Sequence, residues 1–473
     1  MIERLLDVLA AGGEKLCYKI GAEVLSYHEC YEQVQALAAA LRRQGNGRVM
    51  VYGGKSVAQF VSMLACVAAR RCYVPVDAEM PPARVEEIAR QAQVSLVLAN
   101  APLALAGVPC MTPEALLAMD DSGRAPVVSE NDLAYIIFTS GSTGKSKGVP
   151  ISYENVDHFI SWITKAPALL ALHGEKVLSV SRFSFDLSVM DVYFSLFTGS
   201  TIVAVPYGIR ENLTRFYKDV CDEAIGLTVM TPTLAKLLLL DAEFDAAHFP
   251  ALRGFFFCGE CLEVQTARKL HARFPEAQLI NAYGPTECTC CVTLVAIDEK
   301  MLEQPLLPVG VASESAVEIA LEAEEIILKG ASVFAGYLGM QSENCYQENG
   351  IACFRTKDIG SLEDGLLYCR GRMDHQVKYQ GYRMELGDIE SNLLQIPGVS
   401  EAVVCAKRKS NSGIVRLLKA YVVTTAPSLD EAAIKTALAE RLPSYMIPKT
   451  ITRLAQLPVN ANGKYDRKKL EEL

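Results

Sequence analysis

The sequence LAYIIFTSGSTGKSKG, residues 133–148, joins an apolar run to a loop rich in glycine, hydroxyl and lysine side chains. The run 133–139 has the length and composition of a buried strand. Gly141, Gly144 and Gly148 leave backbone amides free to approach an anion, and the neighbouring serines, threonines and lysines supply hydroxyls and charge. This stretch therefore predicts a strand followed by a phosphate-binding loop.

A Walker A loop is the alternative functional interpretation of this segment. Gly144-Lys145-Ser146 matches the end of the pattern GxxxxGK[ST]. That pattern requires glycine at position 139, where this chain has Thr139. The Walker interpretation therefore fails at one required position. A flexible glycine loop without a ligand is disfavoured by the density of serine, threonine and lysine around it.

Composition indicates a large globular protein. The chain has 473 residues, half of them hydrophobic, and a formal net charge of -9 from 46 basic and 55 acidic side chains. That balance argues against nucleic-acid binding, because neutralising phosphates requires a basic surface. No stretch approaches 18 uncharged apolar residues, and Glu3 and Asp7 interrupt any N-terminal signal peptide. Because the 15 cysteines lie in apolar contexts, we expect reduced thiols in a cytoplasmic protein with no membrane insertion.

Predicted strands and helices alternate through the first 283 residues. Ser26 and Glu29 form a capping box that opens a helix reaching Arg43. Strands are then predicted at 48–52, 133–139, 176–180, 201–205, 227–231, 254–258 and 278–283. Such alternation implies parallel sheets with helices on their faces. The pattern changes from about residue 305, where alternating apolar and polar residues predict a small antiparallel β unit, and the last 100 or so residues predict a small α+β lobe.

The phosphate loop and five further motifs resemble, in order, those of the acyl- and aminoacyl-adenylating enzymes. This superfamily contains acyl-CoA synthetases, luciferases and the adenylation domains of peptide synthetases. The five motifs are NAYGPTE (281–287), FRTKDIG (354–360), GRMDHQVKYQGYRMELGDIE (371–390), LPSYMIP (442–448) and NGKYDR (462–467). The chain departs from the family at Ser146, usually proline, and at Lys357, usually glycine. The resemblance implies an α/β enzyme with an N-terminal core, residues 1–373, and a mobile C-terminal lid, residues 374–473.

The same resemblance implies how ATP is bound and used. In this family a carboxylate attacks the α-phosphate of ATP, giving an acyl-adenylate and pyrophosphate, and a thiol then takes the acyl group. Tyr283 would pack on the adenine and Asn281 would bond its amino edge. Thr286 would touch the α-phosphate, and Glu287 would hold Mg²⁺, which prefers carboxylate and phosphate oxygens. On pattern alone, Glu287 could instead be a helix N-terminal carboxylate. The ATP-binding residues implied are Thr139, Ser140, Gly141, Ser142, Thr143, Gly144, Lys147, Asn281, Ala282, Tyr283, Gly284, Thr286, Asp358, Arg372 and Lys464.

Three of the implied residues lie toward the C-terminal part of the chain. Asp358 would bind the ribose, because a carboxylate accepts from two adjacent hydroxyls, and Arg372 would also reach it. Lys464 would be catalytic, bridging the substrate carboxylate and the phosphate where negative charge concentrates in the transition state. Asp374 would be the hinge about which the lid rotates, withdrawing Lys464 after adenylation. On the residues alone, Asp374 could equally be an exposed loop aspartate.

The segment FSFDLSVMDVY, residues 183–193, indicates the class of acid. The resemblance places Asp186 where amino-acid-activating members bind the α-amino group. A buried carboxylate left without its cation is unfavourable by about 3–5 kcal/mol, so an acid lacking an amine should be rejected. On pattern alone, Asp186 could instead cap a helix beginning at Leu187. Cys258, in FFFCGE, resembles the D-alanine–carrier-protein ligases, in which this cysteine fills the space that an L-configured methyl would need. The substrate-binding residues predicted are Asp186, Leu187, Cys258, Gly284 and Cys290.

Several alternatives remain open at this stage. The run TECTCC, residues 286–291, and a short hairpin at 316–327 leave glycine, L-alanine and serine as competing substrates, in peptide or related biosynthesis. The spacings Cys258-x-x-Cys261 and Cys288-x-Cys290-Cys291 could indicate zinc, although these cysteines fall within motifs interpreted as pocket walls. Because the chain ends six residues after NGKYDR, we expect the acceptor thiol on a separate phosphopantetheinyl carrier protein. A non-catalytic nucleotide-binding regulator is the alternative from another class.

Overall fold

The computed structural model describes residues 1–119, 132–141, 146–207, 213–374, 376–408, 415–426, 429–459 and 465–472. The chain forms two compact units, each described separately below. The first comprises Met1–Ala78, Ala89–Ile137 and Val149–Arg370. The second comprises Glu79–Ile88, Phe138–Gly148 and Gly371–Leu473. The sequence-based division into 1–373 and 374–473 stays a prediction.

The predicted helices form, and local signals explain where they begin. The capping box is confirmed, since the Ser26 hydroxyl accepts from the Glu29 amide and the Glu29 carboxylate accepts from the Ser26 amide. The α-helices of the described residues are Ile2–Ala11, Tyr27–Arg43, Val57–Ala68, Pro82–Gln91, Pro113–Leu117, Tyr153–Ile163, Leu187–Val189, Ser195–Phe197, Leu213–Val220, Pro232–Leu238, Val264–Arg273, Glu299–Leu302, Leu386–Leu394, Glu431–Ala439 and Arg467–Glu472. None of these helices is both long and apolar enough to cross a membrane.

An eight-stranded sheet of the first unit carries most of the candidate residues. Its six central strands are parallel, and each edge strand is antiparallel to its neighbour. In spatial order the strands are Thr293–Ala296, Gln278–Tyr283, Gly254–Phe257, Leu227–Met230, Lys176–Ser179, Thr201–Ala204, Leu16–Ile20 and Glu23–Ser26. The parallel sheet predicted from the alternation of strands and helices is therefore confirmed. Three of these strands were not predicted from the sequence: Thr293–Ala296, Leu16–Ile20 and Glu23–Ser26.

Two further sheets involve residues of the first unit. A six-stranded sheet runs Cys110–Met111, Val94–Ala99, Arg48–Gly53, Tyr73–Asp77, Leu133–Thr139 and Lys147–Ser152. The small antiparallel β unit predicted after residue 305 is confirmed, with strands Gly310–Val311, Leu366–Arg372, Ile351–Glu363, Glu325–Lys329 and Glu318–Glu322, and with Cys345–Glu348 paired to Ile351–Glu363.

The C-terminal part of the second unit has the predicted α+β character. A hairpin joins Gln376–Tyr379 to Tyr382–Glu385. A three-stranded sheet consists of Val399–Arg408, Val415–Thr424 and Thr450–Arg453, the last parallel to its neighbour. The strand Thr450–Arg453 was not predicted, because its sequence TITR is short and half polar.

The central strands of the large sheet are buried on both faces. In Gly254–Phe257, Phe256 packs into one apolar cluster while Phe255 and Phe257 pack into another. Successive side chains of a strand point to opposite faces, so a parallel strand covered on both sides reads as a continuous apolar run. This burial fixes the ends of the strands, and the candidate site lies at those ends.

Candidate active site

The candidate residues of the first unit follow the C-terminal ends of parallel strands. Cys258 directly follows Gly254–Phe257, and Tyr283 ends the neighbouring strand Gln278–Tyr283. Asp186 lies in the loop after Lys176–Ser179, a strand of the same sheet two places away from Gly254–Phe257. Ligands of open α/β sheets bind at this edge, because the loops after parallel strands converge there.

Asp186 and Thr286 are joined by a hydrogen bond. The Thr286 hydroxyl donates to Asp186 Oδ2 at 2.5 Å. Asp186 precedes the short helix Leu187–Val189 with φ -62° and ψ -26°, and its side chain makes no capping hydrogen bond. The helix-cap interpretation of Asp186 is therefore wrong. The predicted amine-binding carboxylate contacts the predicted α-phosphate residue directly.

Neutral thiols line the predicted amino-acid pocket. Cys258, Cys290 and Leu187 are buried, and the Cys291 thiol is hydrogen-bonded to both Cys258 and Cys290. The hydrogen bond to Cys291 opposes the shift, but burial and the charge of Asp186 raise the pKa of Cys290 to about 12. The Cys290 thiol is therefore protonated at neutral pH. The described residues contain no cluster of three or more histidine, cysteine, aspartate or glutamate side chains suited to a metal.

The predicted adenine-binding segment, residues 281–284, combines an available acceptor with a close backbone approach. Asn281 is buried, and its Nδ2 donates to the Pro308 carbonyl at 2.7 Å. Its Oδ1 is also buried and has no hydrogen-bond partner among the described residues, which suits a ligand amino group. Ala282 is a buried residue of the same strand. A Cβ added to Gly284 would lie 2.4 Å from Cys291 Cα, so only glycine fits there.

Tyr283 and Asp358 come together although they lie far apart in the sequence. The Tyr283 hydroxyl donates to Asp358 Oδ2 at 2.6 Å, and both side chains are buried. Burial, reinforced by the nearby Asp358 charge, raises the pKa of Tyr283 well above its usual value. The predicted adenine-packing ring and the predicted ribose carboxylate are therefore fixed relative to each other.

Lys357 adopts the backbone conformation that a glycine normally supplies. Its φ is +62°, in the left-handed region. It lies where the register between strands Glu325–Lys329 and Ile351–Glu363 shifts, as expected for a bulge. Its amide donates to Glu325 Oε1 at 3.0 Å, and its Nζ lies 3.6 Å from the same oxygen. Lysine in place of the family's usual glycine therefore leaves the turn before Asp358 intact. The backbone of Lys357 is strained as a result.

Glu287 is fully buried and held by a tyrosine. Its Oε1 accepts from the Tyr337 hydroxyl at 2.6 Å, and its carbonyl accepts from the Phe334 amide at 2.8 Å. It lies in the 3₁₀ turn Thr286–Cys288, which has no side-chain cap. Mg²⁺ is commonly bound by one or two carboxylates together with substrate phosphates and water. The one carboxylate of Glu287 could therefore bind Mg²⁺ together with phosphate oxygens of the substrate.

The predicted phosphate loop belongs largely to the second unit, which includes Phe138–Gly148. Thr139 ends the strand Leu133–Thr139, and Gly141 is buried. The Ser140 hydroxyl accepts from the Glu385 amide at 2.8 Å and donates to the Arg383 carbonyl at 3.3 Å. Since a hydroxyl has one proton, Ser140 must release the carbonyl before it can donate to a phosphate. Lys147 Nζ lies 3.9 Å from Glu385 Oε1. Three predicted residues of this loop, Ser142, Thr143 and Gly144, lie outside the described residues.

Arg372 and Asp374 form a bidentate ion pair. Arg372 Nε lies 2.7 Å from Asp374 Oδ1, and Nη2 lies 2.8 Å from Oδ2. The Gln376 amide donates to Asp374 Oδ1 at 3.1 Å. Burial opposes the shift, but the Arg372 guanidinium lowers the pKa of Asp374 below its usual value. The predicted ribose arginine and the predicted hinge aspartate are thus mutual partners in this structure. The predicted catalytic residue Lys464 lies outside the described residues.

Sequence reasoning missed residues that shape the pocket. Thr289 has φ +75° and ψ -62°, and the Cys290 amide donates to the Cys288 carbonyl at 3.0 Å, which defines a γ-turn. Such a turn is strained for a β-branched residue, and strain of this kind is concentrated at functional sites. The Tyr135 hydroxyl donates to the Thr289 carbonyl at 3.1 Å. Neither role has a signal in the sequence, because both depend on the path of the backbone.

Comparisons with known proteins identify the family of this chain. The family model for AMP-binding enzymes matches residues 8–338, and the model for the C-terminal domain of AMP-binding enzymes matches residues 388–464. A relative from Listeria monocytogenes, named D-alanine--D-alanyl carrier protein ligase, is 36% identical over 508 residues, covering 99% of this chain and 99% of the relative.

Solved structures share the fold. The adenylation domain AlmE of Vibrio cholerae, in complex with glycyl-adenosine-5'-phosphate, has a TM-score of 0.84 at 24% identity, covering 99% of this chain and 96% of that one. PA1221, an NRPS protein containing adenylation and PCP domains, has a TM-score of 0.82 at 24% identity, covering 99% of this chain and 83% of that one. The α/β architecture and the superfamily inferred from the six motifs are both confirmed. The chain belongs to the AMP-binding enzyme family.

Proposed function

We propose that this protein activates a small α-amino acid, D-alanine foremost, with ATP and loads it onto a separate carrier protein. In the first half-reaction an oxygen of the amino-acid carboxylate attacks the α-phosphorus of ATP, and pyrophosphate leaves. In the second half-reaction the phosphopantetheine thiol of the carrier attacks the acyl carbon, loses its proton, and AMP leaves. The products are an aminoacyl thioester, AMP and pyrophosphate.

The observation that carries the proposal is the hydrogen bond between Thr286 and Asp186. The predicted α-phosphate contact and the predicted amine contact are joined at 2.5 Å. In an α-amino acid the amine and the carboxylate are bonded to the same carbon. An amine held by Asp186 therefore keeps the attacking carboxylate close to Thr286, where the α-phosphate is expected. A substrate with a longer spacing between the two groups would displace its carboxylate from this point.

Binding of the amino acid would also change the acceptor to which the Thr286 hydroxyl donates its hydrogen bond. The Thr286 hydroxyl has one proton, which it donates to Asp186 in this structure. An ammonium group has three donors and can replace that bond, forming a charge-assisted contact with the carboxylate. The Thr286 hydroxyl is then free to donate to an oxygen of the α-phosphate, where negative charge develops. Amine binding would thus prepare the phosphate site.

Two features favour D-alanine among small amino acids. Cys258 is buried, and in the proposed pocket its side chain would fill the space that the methyl group of L-alanine needs. The relative from Listeria monocytogenes is named for D-alanine. The pKa of Cys290 is raised to about 12, so this thiol adds no charge beside the methyl group. A distinction of one carbon in such a pocket is worth about 1–3 kcal/mol. We therefore expect preference for D-alanine over L-alanine without complete exclusion.

The nucleotide would be held by the residues already described. Asn281 Oδ1 offers an acceptor to the adenine amino group, and Asp358 offers its carboxylate to the ribose hydroxyls. Glu287 would hold Mg²⁺, which neutralises phosphate charge when bound. Lys464 would bridge the substrate carboxylate and the phosphate. Because all fifteen cysteines are free thiols, we place the reaction in the cytoplasm.

The test is amino-acid-dependent exchange of pyrophosphate into ATP. D-alanine, L-alanine, glycine, L-serine and propionate are compared on the purified chain, and aminoacylation of a phosphopantetheinylated carrier is followed by intact mass. We expect the highest kcat/KM with D-alanine and no exchange with propionate. A higher value with glycine or L-serine would instead support an amino-acid loader for peptide biosynthesis. Absence of exchange with every amino acid, with ATP still bound, would favour a nucleotide-binding regulator and overturn the proposal.

A further inference from the structure

The loop that carries Asp186 is attached to a buried carboxylate that no step of the proposed function uses. The Ser184 hydroxyl donates to Asp77 Oδ2 at 2.6 Å. Arg182 Nη1 lies 3.4 Å from the same oxygen. Asp77 ends the strand Tyr73–Asp77 and is 4% exposed. One carboxylate at the end of a buried strand therefore holds two residues that shortly precede Asp186.

The same loop is held from a second direction by Tyr207. The Phe183 amide donates to the Tyr207 hydroxyl oxygen at 3.1 Å, and the Arg182 guanidinium carbon lies 4.4 Å from the centre of the Tyr207 ring. The Phe185 amide closes a turn onto the Arg182 carbonyl at 3.0 Å. Residues 182–184 are therefore each held by a side chain from outside the loop before the chain reaches Asp186.

The start of the loop is also fixed by hydrogen bonds. They join Ser179, at the end of the preceding strand, to Lys55 and to Asp191 in the helical segment after Asp186. Lys55 Nζ donates to the Ser179 carbonyl at 2.9 Å and to its hydroxyl oxygen at 3.0 Å. The Ser179 hydroxyl donates to Asp191 Oδ2 at 2.6 Å. Burial lowers the pKa of Lys55 and raises the pKa of Asp191, and each charge opposes the shift of the other. Lys55 and Arg182 thus supply two cationic side chains facing the carboxyl groups of Asp191 and Asp77.

We propose that Asp77 is a positioning residue for amino-acid recognition. Through Ser184 and Arg182 it holds the loop so that the Asp186 carboxylate meets the amino group of the substrate. This inference rests on the proposed function, since it assigns Asp77 a role through Asp186. It predicts that weakening the contacts of Asp77 impairs binding of the amino acid selectively and leaves binding of ATP unchanged.

A purely structural role for Asp77 would have different consequences. Loss of a general contact would lower the stability of the first unit and affect both substrates. A displaced Asp186 would affect only the substrate that carries an amine. A displacement of about 1 Å in a positioning group can change rates by about 100-fold, so the selective effect is expected to be large enough to measure.

The test compares steady-state pyrophosphate exchange by the full chain and its Asp77→Asn variant. Asparagine keeps the shape and an acceptor for Ser184 but removes the charge that faces Arg182. We expect the KM for D-alanine to rise about tenfold or more, with the KM for ATP within about twofold of the original value. Ser184→Ala should shift the KM for D-alanine in the same direction by a smaller factor. The control is Asp157→Asn, which removes a carboxylate paired with Arg4 at 2.7 Å in the same unit and should change neither KM.

A double-mutant cycle with Asp186 separates positioning from stability. If Asp77 acts through Asp186, Asp77→Asn should add little to the KM for D-alanine in the Asp186→Asn background, whereas independent effects would multiply. Multiplicative effects, or equal rises in both KM values, would overturn the inference. If Asp77→Asn unfolds early in a thermal melt, Ser184→Ala decides by the same criteria. Absence of exchange by the unmodified chain would overturn the proposed function and this inference with it, whereas normal exchange with an unchanged KM ratio would overturn the inference alone.

Discussion

The proposed amino-acid pocket and the proposed phosphate-binding segments of this protein are built differently. In the pocket, Cys258 and Cys290 are buried, and Asp186 is tied by a hydrogen bond to Thr286. In the second unit, Ser140 and Lys147 are half-buried, and their polar groups contact the segment 383–385. The pocket is fixed by strand ends with apolar cover on both faces. The proposed phosphate-binding segments are held by polar contacts that a ligand could replace.

This difference suggests that the two regions serve different functions, one the selection of the substrate and the other the rate of the reaction. A site on the ends of buried strands holds side chains within the narrow tolerance that selectivity requires. Polar loops on a smaller unit can exchange partners during a reaction cycle, as catalytic loops commonly do. Selection of the amino acid should therefore depend on the strand ends, and the rate of adenylation should depend on the loops and on Lys464.

The largest effect is expected at Lys464, which tests the catalytic side of the comparison. Lys464→Ala removes the cation predicted to neutralise charge in the transition state, and we expect pyrophosphate exchange to fall by about 100- to 1,000-fold. ATP affinity, measured by calorimetry, should change little. Lys469→Ala, at an exposed position of the helix Arg467–Glu472, is the control and should retain full activity. If the ATP affinity of Lys464→Ala fell by as large a factor as its rate of pyrophosphate exchange, the lysine would serve ATP binding rather than the chemical step.

The next effect is expected at Asp186, which tests the selective side. Asp186→Asn removes the charge facing the ammonium group, and truncation of a charge pair of this kind is unfavourable by about 2–5 kcal/mol. We expect kcat/KM for D-alanine to fall accordingly, while ATP affinity is unchanged. Propionate, which lacks the amine, provides the comparison. If the discrimination between alanine and propionate is the same in the variant, Asp186 does not bind the amine.

A smaller effect is expected at Cys258. Cys258→Ala should reduce the preference for D-alanine over L-alanine by about tenfold, since one small group is worth about 1–3 kcal/mol. The ratio of the two kcat/KM values in pyrophosphate exchange measures this. Cys261→Ala is a matched control, because that cysteine is three positions away but exposed. An unchanged ratio in Cys258→Ala would remove the stereochemical argument.

The smallest effect concerns the stability of the strand that carries Asp358. Lys357 has φ +62°, a conformation unfavourable by about 1–2 kcal/mol for a residue other than glycine. We expect Lys357→Gly to raise the free energy of unfolding by up to about 1 kcal/mol, because relief of strain is partly offset by the more flexible unfolded chain. Chemical denaturation measures it. Lys357→Ala keeps the strain and should be neutral or destabilising, so equal behaviour of the two variants would contradict the explanation.

Much of the fold was predictable because it depends on local patterns. The capping box at Ser26 and the apolar runs of the central strands predicted the alternation that the structure confirms. The strand Thr450–Arg453 was missed, since its pairing with Val415–Thr424 is non-local. Lys357 shows the limit clearly: its departure from the family pattern was visible, but the left-handed backbone that accommodates it was not.

The sequence by itself determined the family, the order of the motifs and the residue types available for each role. These three properties follow from side-chain chemistry and from the spacing of residues close together in the sequence, and both can be seen in the sequence directly. Only the tertiary structure decided that Thr286 contacts Asp186, that Tyr283 contacts Asp358 and that Asp77 holds the loop before Asp186. Such contacts join residues separated by up to 107 positions. They depend on which strands become neighbours in a sheet, and burial of apolar surface on both faces of the whole sheet decides that order.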